Sequence, residues 1–461
     1  MKKLLPFLFI MFLTSCIGKT GEQQTVATDT VPTVYFTQEI SPSALVRVYE
    51  ALGRPATGKV AVKISTGEAG GHNYLQPRLI QELVSTVNGT LVECNTAYAG
   101  RRNSTEAHWQ TIKEHGFLDI AKVDLMDEQG DFEIPVQDTT WIKYDIVGNH
   151  LKNYDFLINL AHFKGHAMGG FGGVLKNQSI GVASARGKAY IHSAGVTDDV
   201  IDTWNHIGNQ DGFLESMAAA AQAVHNYFGN GERILYINVV NNLSVDCDCD
   251  SHPADPEMAD IGILASLDPV ALDQACVDLV FNYPSSEGDN ASALIERINS
   301  RHGVHTIEHA AKIGLGRRDY QLIQIDGEDM LRTLNENGLS LLVRNHGKTT
   351  SYNHKGVHDL LQLIDEQPQV LKGAVVADKL IGKAAAAIMV VAGVKEVHTN
   401  LICTSALKML REAGVKVFFK EEVPMILNRS MSGQCPIDSQ VDTIMCPQKC
   451  VEILRQMPKM E

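Results

Sequence analysis

This 461-residue sequence is short of three features, and each shortage excludes a class of function. Positive charge is in the minority, since 40 Lys and Arg stand against 54 Asp and Glu and give a formal net charge of −14. Binding to nucleic acid phosphates needs a basic face, so nucleic acid is not an expected partner. The glycine-rich stretch at 165–173 lacks the Gly-Lys-Ser/Thr order of a Walker A loop. No Cys-x-x-Cys-x-x-Cys run is present, so a ferredoxin-type cluster has no support.

The N-terminus is expected to be a lipoprotein signal. Two lysines at positions 2 and 3 precede an apolar run that is too short to span a bilayer. Leu13-Thr14-Ser15-Cys16 then has the pattern of a bacterial lipobox, which predicts lipid attachment at Cys16. A plain secretory signal is the alternative. We therefore expect an exported, membrane-anchored lipoprotein of the cell envelope, with residues 1–16 as signal and lipobox and 17–43 as a flexible linker.

The hydrophobic pattern predicts an α/β fold with two domains. From Val60 to Val280, β-rich runs alternate with segments of helical periodicity. Such alternation is typical of a mainly parallel sheet covered by helices. Asp, Glu, Gly and Asn cluster near 326–337 and predict a boundary there. The expected domains are therefore 44–330, with the parallel sheet, and 338–461, a smaller α/β unit.

One glycine-rich stretch carries the main candidate site. An apolar run ending at Leu160 leads into Ala161-His-Phe-Lys-Gly-His-Ala-Met-Gly-Gly-Phe-Gly-Gly-Val-Leu-Lys176. The predicted strand thus delivers histidines and lysines to its carboxyl end, where open α/β sheets place ligands. Glycines let backbone amides approach a ligand closely, and Lys176 supplies a cation or a nucleophilic amine. A plain turn between strand and helix is the alternative.

A second candidate site is the segment Asp246-Cys-Asp-Cys-Asp250. Thiolates and carboxylates at this density bind transition metals such as zinc, iron or nickel. Cys247 and Cys249, with Asp246 and Asp248, are the expected ligands. The alternatives are a disulfide to a distant cysteine or a solvated acidic loop, and a disulfide between Cys247 and Cys249 themselves is expected to be strained.

Three further groups of residues are candidates for a structural or a binding role. Asp268, followed by a proline, predicts the start of a helix. Arg101 and Arg102 are able to clamp a carboxylate or phosphate, although surface arginines in a loop need no such role. A partly exposed face and a metal site are both compatible with three histidines at helical spacing, His302, His305 and His309.

Over roughly residues 58–325 the sequence resembles a bacterial family known as domain of unknown function 362. The resemblance is carried by His162-Phe-Lys-Gly-His166, Gly170-Phe-Gly-Gly-Val-Leu-Lys-Asn177, Asp246–Asp250 and Asp268–Asp273. The intervals between His166, the glycines, Lys176 and His192 are also similar, more distantly, to those of nickel-pincer lactate racemases. That similarity implies a proton-transfer base at His166, a tether for the pincer nucleotide at Lys176 and a nickel ligand at His192.

The residues and the resemblances together lead to one set of expectations. The substrate would be a small carboxylate-bearing molecule, and the reaction a redox or proton transfer. A transition metal is compatible with the residues, while cofactor identity and oligomeric state stay open. A binding lipoprotein without catalysis and a structural envelope protein are the alternatives. The expected site residues are His166 and Lys176 for catalysis; Gly170, Gly172, Gly173, Lys176 and Asn177 for cofactor binding; and His192, Cys247, Cys249, Asp246 and Asp248 for metal.

The C-terminal unit, about 339–455, resembles a second family, domain of unknown function 1893, with a cytidine-deaminase-like fold. Its marks are Ala377–Ala386, Thr404–Leu407 and Val423–Arg429. Working zinc deaminases need three metal ligands and a glutamate. The corresponding places read Gly382-Lys-Ala384 and Leu401-Ile-Cys-Thr-Ser-Ala406. A binding or regulatory module is therefore expected rather than deamination.

Overall fold

The computed structural model describes residues 30–325, 327–345, 348–354, 356–428 and 430–457. The predicted signal, Cys16 and residues 17–29 of the predicted linker lie outside the described residues. From Pro32 onward the chain forms one compact unit. A search of the described helices finds no segment with the length and hydropathy of a membrane span.

Strands and helices alternate along the N-terminal domain, with three short 3-10 helices between them. The elements are, in order, β1 (Thr33–Thr37), α1 (Pro42–Ala51), β2 (Val60–Lys63), α2 (Pro77–Thr86), β3 (Thr90–Glu93), α3 (Thr105–Glu114), β4 (Val123–Leu125), β5 (Asp131–Pro135), β6 (Tyr144–Gly148), β7 (Phe156–His162), β8 (Lys164–His166), β9 (Gly170–Gly172), α4 (Val174–Gln178), α5 (Ala185–His192), α6 (Gln210–Tyr227), β10 (Ile234–Val240), β11 (Gly262–Ser266), α7 (Pro269–Phe281), α8 (Ser292–Ser300), α9 (His305–Lys312) and β12 (Gln321–Gln324).

Eight of these strands form one sheet in the order β12-β1-β11-β10-β7-β2-β3-β4. The five strands from β10 to β4 are mutually parallel. β11 runs antiparallel to both of its neighbours, β10 and β1. Helical crossovers join the parallel strands, as parallel pairing requires. The predicted mainly parallel sheet is confirmed.

Both faces of the central strands are covered, which explains why these strands are mostly apolar. In β10, Leu235 and Ile237 belong to a core with α1 and α2, whereas Ile234 and Tyr236 belong to a core with α6 and α7. Successive side chains of a strand point to opposite faces, so a doubly covered strand has no polar face to show. The buried faces hold the strand ends in fixed positions at one edge of the sheet.

The predicted flexible linker, 17–43, is wrong in its last part. Thr33–Thr37 forms β1, which pairs with β11 on one side and β12 on the other. Val34 and Phe36 are buried there. Glu39, just after the strand, lies 2.5 Å from Arg47 and 3.3 Å from Arg344. The strand is short and follows a Thr- and Gln-rich sequence, so its alternating pattern was not recognised as separate from the linker.

The C-terminal domain is a five-stranded sheet with helices, in the strand order β14-β13-β15-β16-β17. β13 and β14 pair antiparallel, and β15, β16 and β17 are parallel. The elements are α10 (Glu328–Glu336), β13 (Leu341–Asn345), β14 (Lys348–Tyr352), α11 (His358–Glu366), α12 (Pro368–Leu371), β15 (Val375–Ile381), α13 (Lys383–Ala392), β16 (Glu396–Cys403), α14 (Thr404–Glu412), β17 (Lys416–Val423), α15 (Pro436–Val441) and α16 (Pro447–Gln456).

The predicted boundary at 326–337 is not a loop, because the helix α10 occupies most of this segment. Met330, Leu331 and Leu334 are buried against Leu342 and Ala377 of the C-terminal sheet. The apolar residues recur at helical spacing within an otherwise polar segment, so an amphipathic helix resembles a linker in composition. The helix therefore belongs to the C-terminal domain, which starts earlier than residue 338.

Candidate functional site

A cavity of about 680 Å³ opens where the neighbouring parallel strands β7, β2 and β3 end. The segments that follow these strands line it, together with the loop after β10 and residues of α4 and α5. Parallel strands bring their carboxyl ends to one edge of a sheet, which is the usual ligand edge of such folds. The glycine-rich stretch and the Asp-Cys-Asp-Cys-Asp segment therefore meet at one cavity.

One wall of the cavity is a network of paired charges. Lys63, the last residue of β2, lies 3.4 Å from Glu93, the last residue of β3. Arg102 lies 3.6 Å from Glu93 and 3.3 Å from Glu68, and all four side chains are buried. Burial alone would raise the pKa of Glu93, but Lys63 and Arg102 outweigh it and lower that pKa to about 2. This wall holds its charges in ion pairs.

The sequence argument missed Lys63, Glu93 and Glu68 as parts of the site. A signal was present, because Lys63 and Glu93 end strands that are otherwise apolar. The predicted anion clamp by Arg101 and Arg102 finds no geometric support. Arg102 is engaged by two carboxylates, and half-exposed Arg101 pairs with Glu114 at 3.0 Å.

The carboxylates predicted as metal ligands are engaged elsewhere. Asp248 lies 2.7 Å from the Nζ of Lys164 and 3.1 Å from the Nδ1 of His162. Burial alone would raise the pKa of Asp248, yet these two partners hold it well below its usual range. Asp246 accepts from Arg297 at 3.2 Å and from the backbone N–H of residue 254 at 3.1 Å. Both assignments as metal ligands are wrong in this geometry, because each carboxylate already has its cation.

Cys247 and Cys249 form a disulfide with each other. The segment around them is a loop, held by a hydrogen bond of 2.7 Å from the N–H of Glu68 to the carbonyl of Asp248. Both sulfurs lie within 4.8 Å of a ring nitrogen of His166. A disulfide between these two cysteines was expected to be strained and therefore disfavoured, but the structure shows this pairing. Thiolates are the metal-binding form of cysteine, so the predicted ligand role requires the reduced pair.

His166, at the end of β8, is buried and fixed by two backbone amides. The N–H groups of Met168 and Gly169 donate to its Nδ1 at 3.2 and 2.8 Å. A ring nitrogen that accepts hydrogen bonds carries no proton, so the neutral ring has its proton on Nε2. Burial and the nearby charge of Lys176 hold the pKa of His166 well below its ordinary value. His166 is thus a neutral hydrogen-bond donor toward a ligand, rather than the predicted base.

His192, at the end of α5, has the opposite tautomer. Its Nδ1 donates to the carbonyl of Lys188 at 2.6 Å, which leaves an unprotonated Nε2. Burial lowers the pKa of His192 to about 4. The ring stacks on Phe213, with 4.8 Å between centroids. An imidazole anchored through Nδ1–H to a carbonyl is the usual arrangement of a metal ligand, and it also suits a base.

Lys176 differs from the other cavity lysines because its Nζ has no hydrogen-bond or ion-pair partner among the described residues. Burial lowers its pKa to about 8, helped by the charges of Lys63 and Arg102 and opposed by Asp248. A Cβ at Gly172 would lie 3.3 Å from the Cδ of Lys176. The missing side chain at Gly172 thus leaves room for an amine that faces the cavity.

The two backbone N–H groups that directly follow the glycine-rich turn are already engaged. The N–H groups of Val174 and Leu175, at the start of α4, donate to the carboxylate of Asp273 at 2.9 and 3.0 Å. A Cβ at Gly173 would collide with that carboxylate at 2.3 Å. Gly173 therefore serves close packing, and its backbone leads into a helix start that is already capped.

Two other predicted cofactor-binding residues have structural roles. Gly170 has φ +80°, and a Cβ there would lie 2.9 Å from Gly303. The Nδ2 of Asn177 donates to the carbonyl of Lys63 at 3.0 Å and to Asn159 at 2.7 Å. Its amide thus ties α4 to the ends of β2 and β7 and is not free for a cofactor.

In the C-terminal domain, the segment that matches the deaminase motif position is closed by a carboxylate. The N–H of Ala384 in α13 donates to Asp438 at 3.0 Å. A Cβ at Gly382 would collide with the same carboxylate at 2.0 Å. The start of this helix is therefore capped by a carboxylate of the same domain.

Comparison with known proteins adds family and structural relatives. No curated protein matches the chain. A crystal structure of a DUF1893 family protein from Thermotoga maritima is 26% identical over 28% of this chain and 86% of its own, with a TM-score of 0.26. The lactate racemase apoprotein from Thermoanaerobacterium thermosaccharolyticum is 13% identical over 54% of this chain, with a TM-score of 0.32. The match spans 56% of the racemase.

Two family models match the chain in succession. Residues 60–278 match the model described as domain of unknown function DUF362, and residues 329–457 match that described as domain of unknown function DUF1893. Both predicted family resemblances are confirmed, each over its own part of the chain.

Proposed function

We propose that the N-terminal domain binds a small carboxylate-bearing molecule at Lys176 and acts on it by proton transfer or redox chemistry. One observation carries the proposal: an unpartnered amine shares a cavity with two neutral histidines of opposite tautomer. A buried amine without a counterion is costly unless a ligand supplies one. Perturbed groups that converge in a cleft are typical of working sites.

Lys176 would attract the ligand through its charge. With a pKa of about 8, the amine is mostly protonated near neutral pH and gains a counterion when a carboxylate binds. A minor fraction is neutral, and this fraction is nucleophilic. The same group is therefore suited to bind an anion and to form a covalent link.

The two histidines would divide the proton chemistry. His166 offers Nε2–H to an oxygen of the ligand, as a neutral imidazole that polarises a carbonyl or hydroxyl group. His192 offers an unprotonated Nε2, which accepts a proton or binds a metal. Because hydrogen bonds to the backbone fix both rings, each tautomer is set before the ligand arrives.

Metal binding is the second candidate function. The nickel-pincer group implied by the racemase resemblance fits two features of this cavity, the unpartnered amine of Lys176 and the free Nε2 of His192. The nickel ion of that group, when bound, would act as a Lewis acid. Reduced Cys247 and Cys249 would offer thiolates beside His166. Metal content that falls in a Cys247→Ser/Cys249→Ser variant would locate the ion at the sulfurs, and content that falls in His192→Ala would locate it at His192.

Anchoring to a membrane through Cys16 is the proposed cellular setting. The lysine pair, the short apolar run and the Leu-Thr-Ser-Cys pattern support it. Wild-type protein should fractionate with membranes and carry acyl chains on Cys16, whereas Cys16→Ala protein should do neither. An unmodified Cys16 in protein from the native host would rule out the anchor.

Probe binding tests the proposal at the cavity. Isothermal titration of the chain lacking residues 1–29 with acetate, lactate and glycerate should show binding that weakens at least tenfold in Lys176→Met. NMR in D₂O then checks whether a bound probe exchanges its carbon-bound hydrogen, and whether His192→Ala slows that exchange. Lys152→Met, at an exposed lysine, is the matched control. Equal binding by wild type and Lys176→Met would overturn the proposal.

A further inference from the structure

A second cluster of metal-ligating side chains lies outside the cavity, where α9 packs on α6. Glu215 comes from α6, and His305 and His309 stand one turn apart on α9. One ligand atom from each lies within 4.8 Å of the other two. None of these three belongs to the lining of the cavity described above.

The separations between these ligand atoms suit a single small cation. The Oε1 of Glu215 lies 3.0 Å from the Nε2 of His305 and 3.3 Å from the Nδ1 of His309. Zinc–nitrogen and zinc–oxygen bonds of about 2.0–2.1 Å in tetrahedral geometry place neighbouring ligand atoms about 3.3 Å apart. An ion could therefore enter with shifts of a few tenths of an ångström.

The outer atom of each ligand is held by a neighbour. Asp138 lies 2.7 Å from the Nε2 of His309, and the indole Nε1 of Trp141 donates to the other oxygen of Glu215 at 2.7 Å. Glu308 lies 3.7 Å from the Nδ1 of His305. Carboxylates behind metal-bound imidazoles are a regular feature of metal sites, because they fix the tautomer and orient the ring.

His309 also has an unsatisfied nitrogen. Its Nδ1 is buried and makes no hydrogen bond among the described residues. When Nε2–H is donated to Asp138, the lone pair on Nδ1 faces the Oε1 of Glu215 at 3.3 Å. Two acceptors this close together are unfavourable, and a cation between them removes the conflict.

We propose that Glu215, His305 and His309 bind one divalent transition-metal ion of the zinc class, with a fourth position open to water. Two histidines and one glutamate with an open position form a known zinc ligand set. The ion would cross-link α6, α9 and the segment that carries Asp138 and Trp141. Phe213, two residues before Glu215, stacks on His192. The ion would thus also stiffen the helix behind the cavity histidine.

Zinc binding in a variant without the cavity sulfurs tests this site. The protein is Cys247→Ser/Cys249→Ser in the chain lacking residues 1–29, stripped with chelator and titrated with zinc against a chromophoric competitor. One equivalent should bind and raise the melting temperature. His309→Ala and Glu215→Gln, each added separately, should weaken binding at least tenfold. His302→Ala is the matched control, because His302 stacks on His305 at 4.7 Å but pairs with Asp211.

Circular dichroism establishes that each variant is folded, and Glu215→Gln keeps the test valid if His309→Ala unfolds. Cobalt in place of zinc should give the intense visible absorption of a tetrahedral site, lost in the same variants. The proposal fails if the sulfur-free protein binds no zinc, or if folded His309→Ala and Glu215→Gln bind it as tightly as their parent. In that event the cluster is a set of ion pairs between carboxylates and protonated histidines.

Discussion

The two walls of the cavity treat charge in opposite ways. At the ends of β2 and β3, Lys63 and Glu93 are buried and form a neutral set of ion pairs with Arg102 and Glu68. Across the cavity, Lys176 has no partner among the described residues, and His166 is kept neutral by burial. Paired charges hold a strand edge together, whereas unpaired groups cost stability and are free to meet a ligand. The difference separates the wall that maintains the fold from the wall that we propose does the chemistry.

The largest effect is expected from breaking the paired wall. Glu93→Gln leaves Lys63 and Arg102 without their shared carboxylate, and removal of one partner of a buried ion pair costs about 3–5 kcal/mol. Urea unfolding at pH 7 measures this loss. Glu114→Gln, at an exposed pair with Arg101, should leave the midpoint unchanged. A Glu93→Gln protein as stable as wild type would contradict the role of this wall.

The same carboxylate predicts a pH dependence. Its pKa is about 2 in the folded protein and near 4.5 when unfolded, so it contributes fully above pH 4.5. That stability is lost as the pH falls from about 4.5 to 2. The difference between wild type and Glu93→Gln should therefore shrink over this window. A constant difference down to pH 2 would show that the effect is not electrostatic.

Two lysines give a direct comparison of paired and unpaired charge. Lys164→Met leaves Asp248 without its lysine partner and should lower the free energy of unfolding by about 3 kcal/mol. Lys176→Met leaves no buried charge without a partner, so the free energy of unfolding should be unchanged or up to about 2 kcal/mol higher. Because the folded pKa of Lys176 is about 8, this gain should be present below pH 8 and vanish as the pH approaches 10.5. Equal losses in the two variants would remove the distinction.

A smaller effect is expected in the reactivity of Lys176. An amine with a pKa of about 8 becomes nucleophilic some two pH units earlier than a surface lysine. Brief acetylation across pH 6–11, read by peptide mass spectrometry, should give a midpoint near 8 for Lys176. A midpoint near the ordinary lysine value of about 10.4 would mean that the cavity does not perturb Lys176.

The smallest predicted signal is the tautomer of each histidine. Long-range ¹⁵N NMR at pH 6.5 should show neutral rings, with the proton on Nε2 in His166 and on Nδ1 in His192. His192 should stay neutral until the pH falls to about 4. The opposite assignment would exchange the proposed donor and acceptor.

Much of the fold was predictable because the strands are covered on both faces. Ile234–Val240, which is apolar apart from Asn238, forms β10 and is buried throughout. Asp268, predicted to cap a helix, accepts from the N–H groups of Val270 and Ala271 at 2.9 Å. Where composition and packing diverge, prediction failed. β1 follows a polar segment, and α10 shows only a narrow apolar stripe within the predicted boundary.

The site was predictable in location but less so in the roles of its residues. The motif placed His166, Lys176 and His192 at one strand end, and all three line the cavity. What spacing does not reveal is which polar groups are already engaged. Asp273 caps α4 from a distant part of the chain, and Asp248 pairs with Lys164 rather than with a metal. Such long-range partners depend on tertiary structure, so the sequence alone left each carboxylate a plausible ligand.

The most direct test of the central claim is to measure whether a bound group or metal depends on Lys176. Wild type, Lys176→Met and Lys152→Met are purified from the native host and subjected to intact-protein mass spectrometry and elemental analysis. The account predicts a bound organic group or a stoichiometric metal in wild type and Lys152→Met that is absent from Lys176→Met. The account is contradicted if all three proteins carry the same bound group or metal. It is also contradicted if none of them carries either one and small carboxylates bind wild type no better than Lys176→Met.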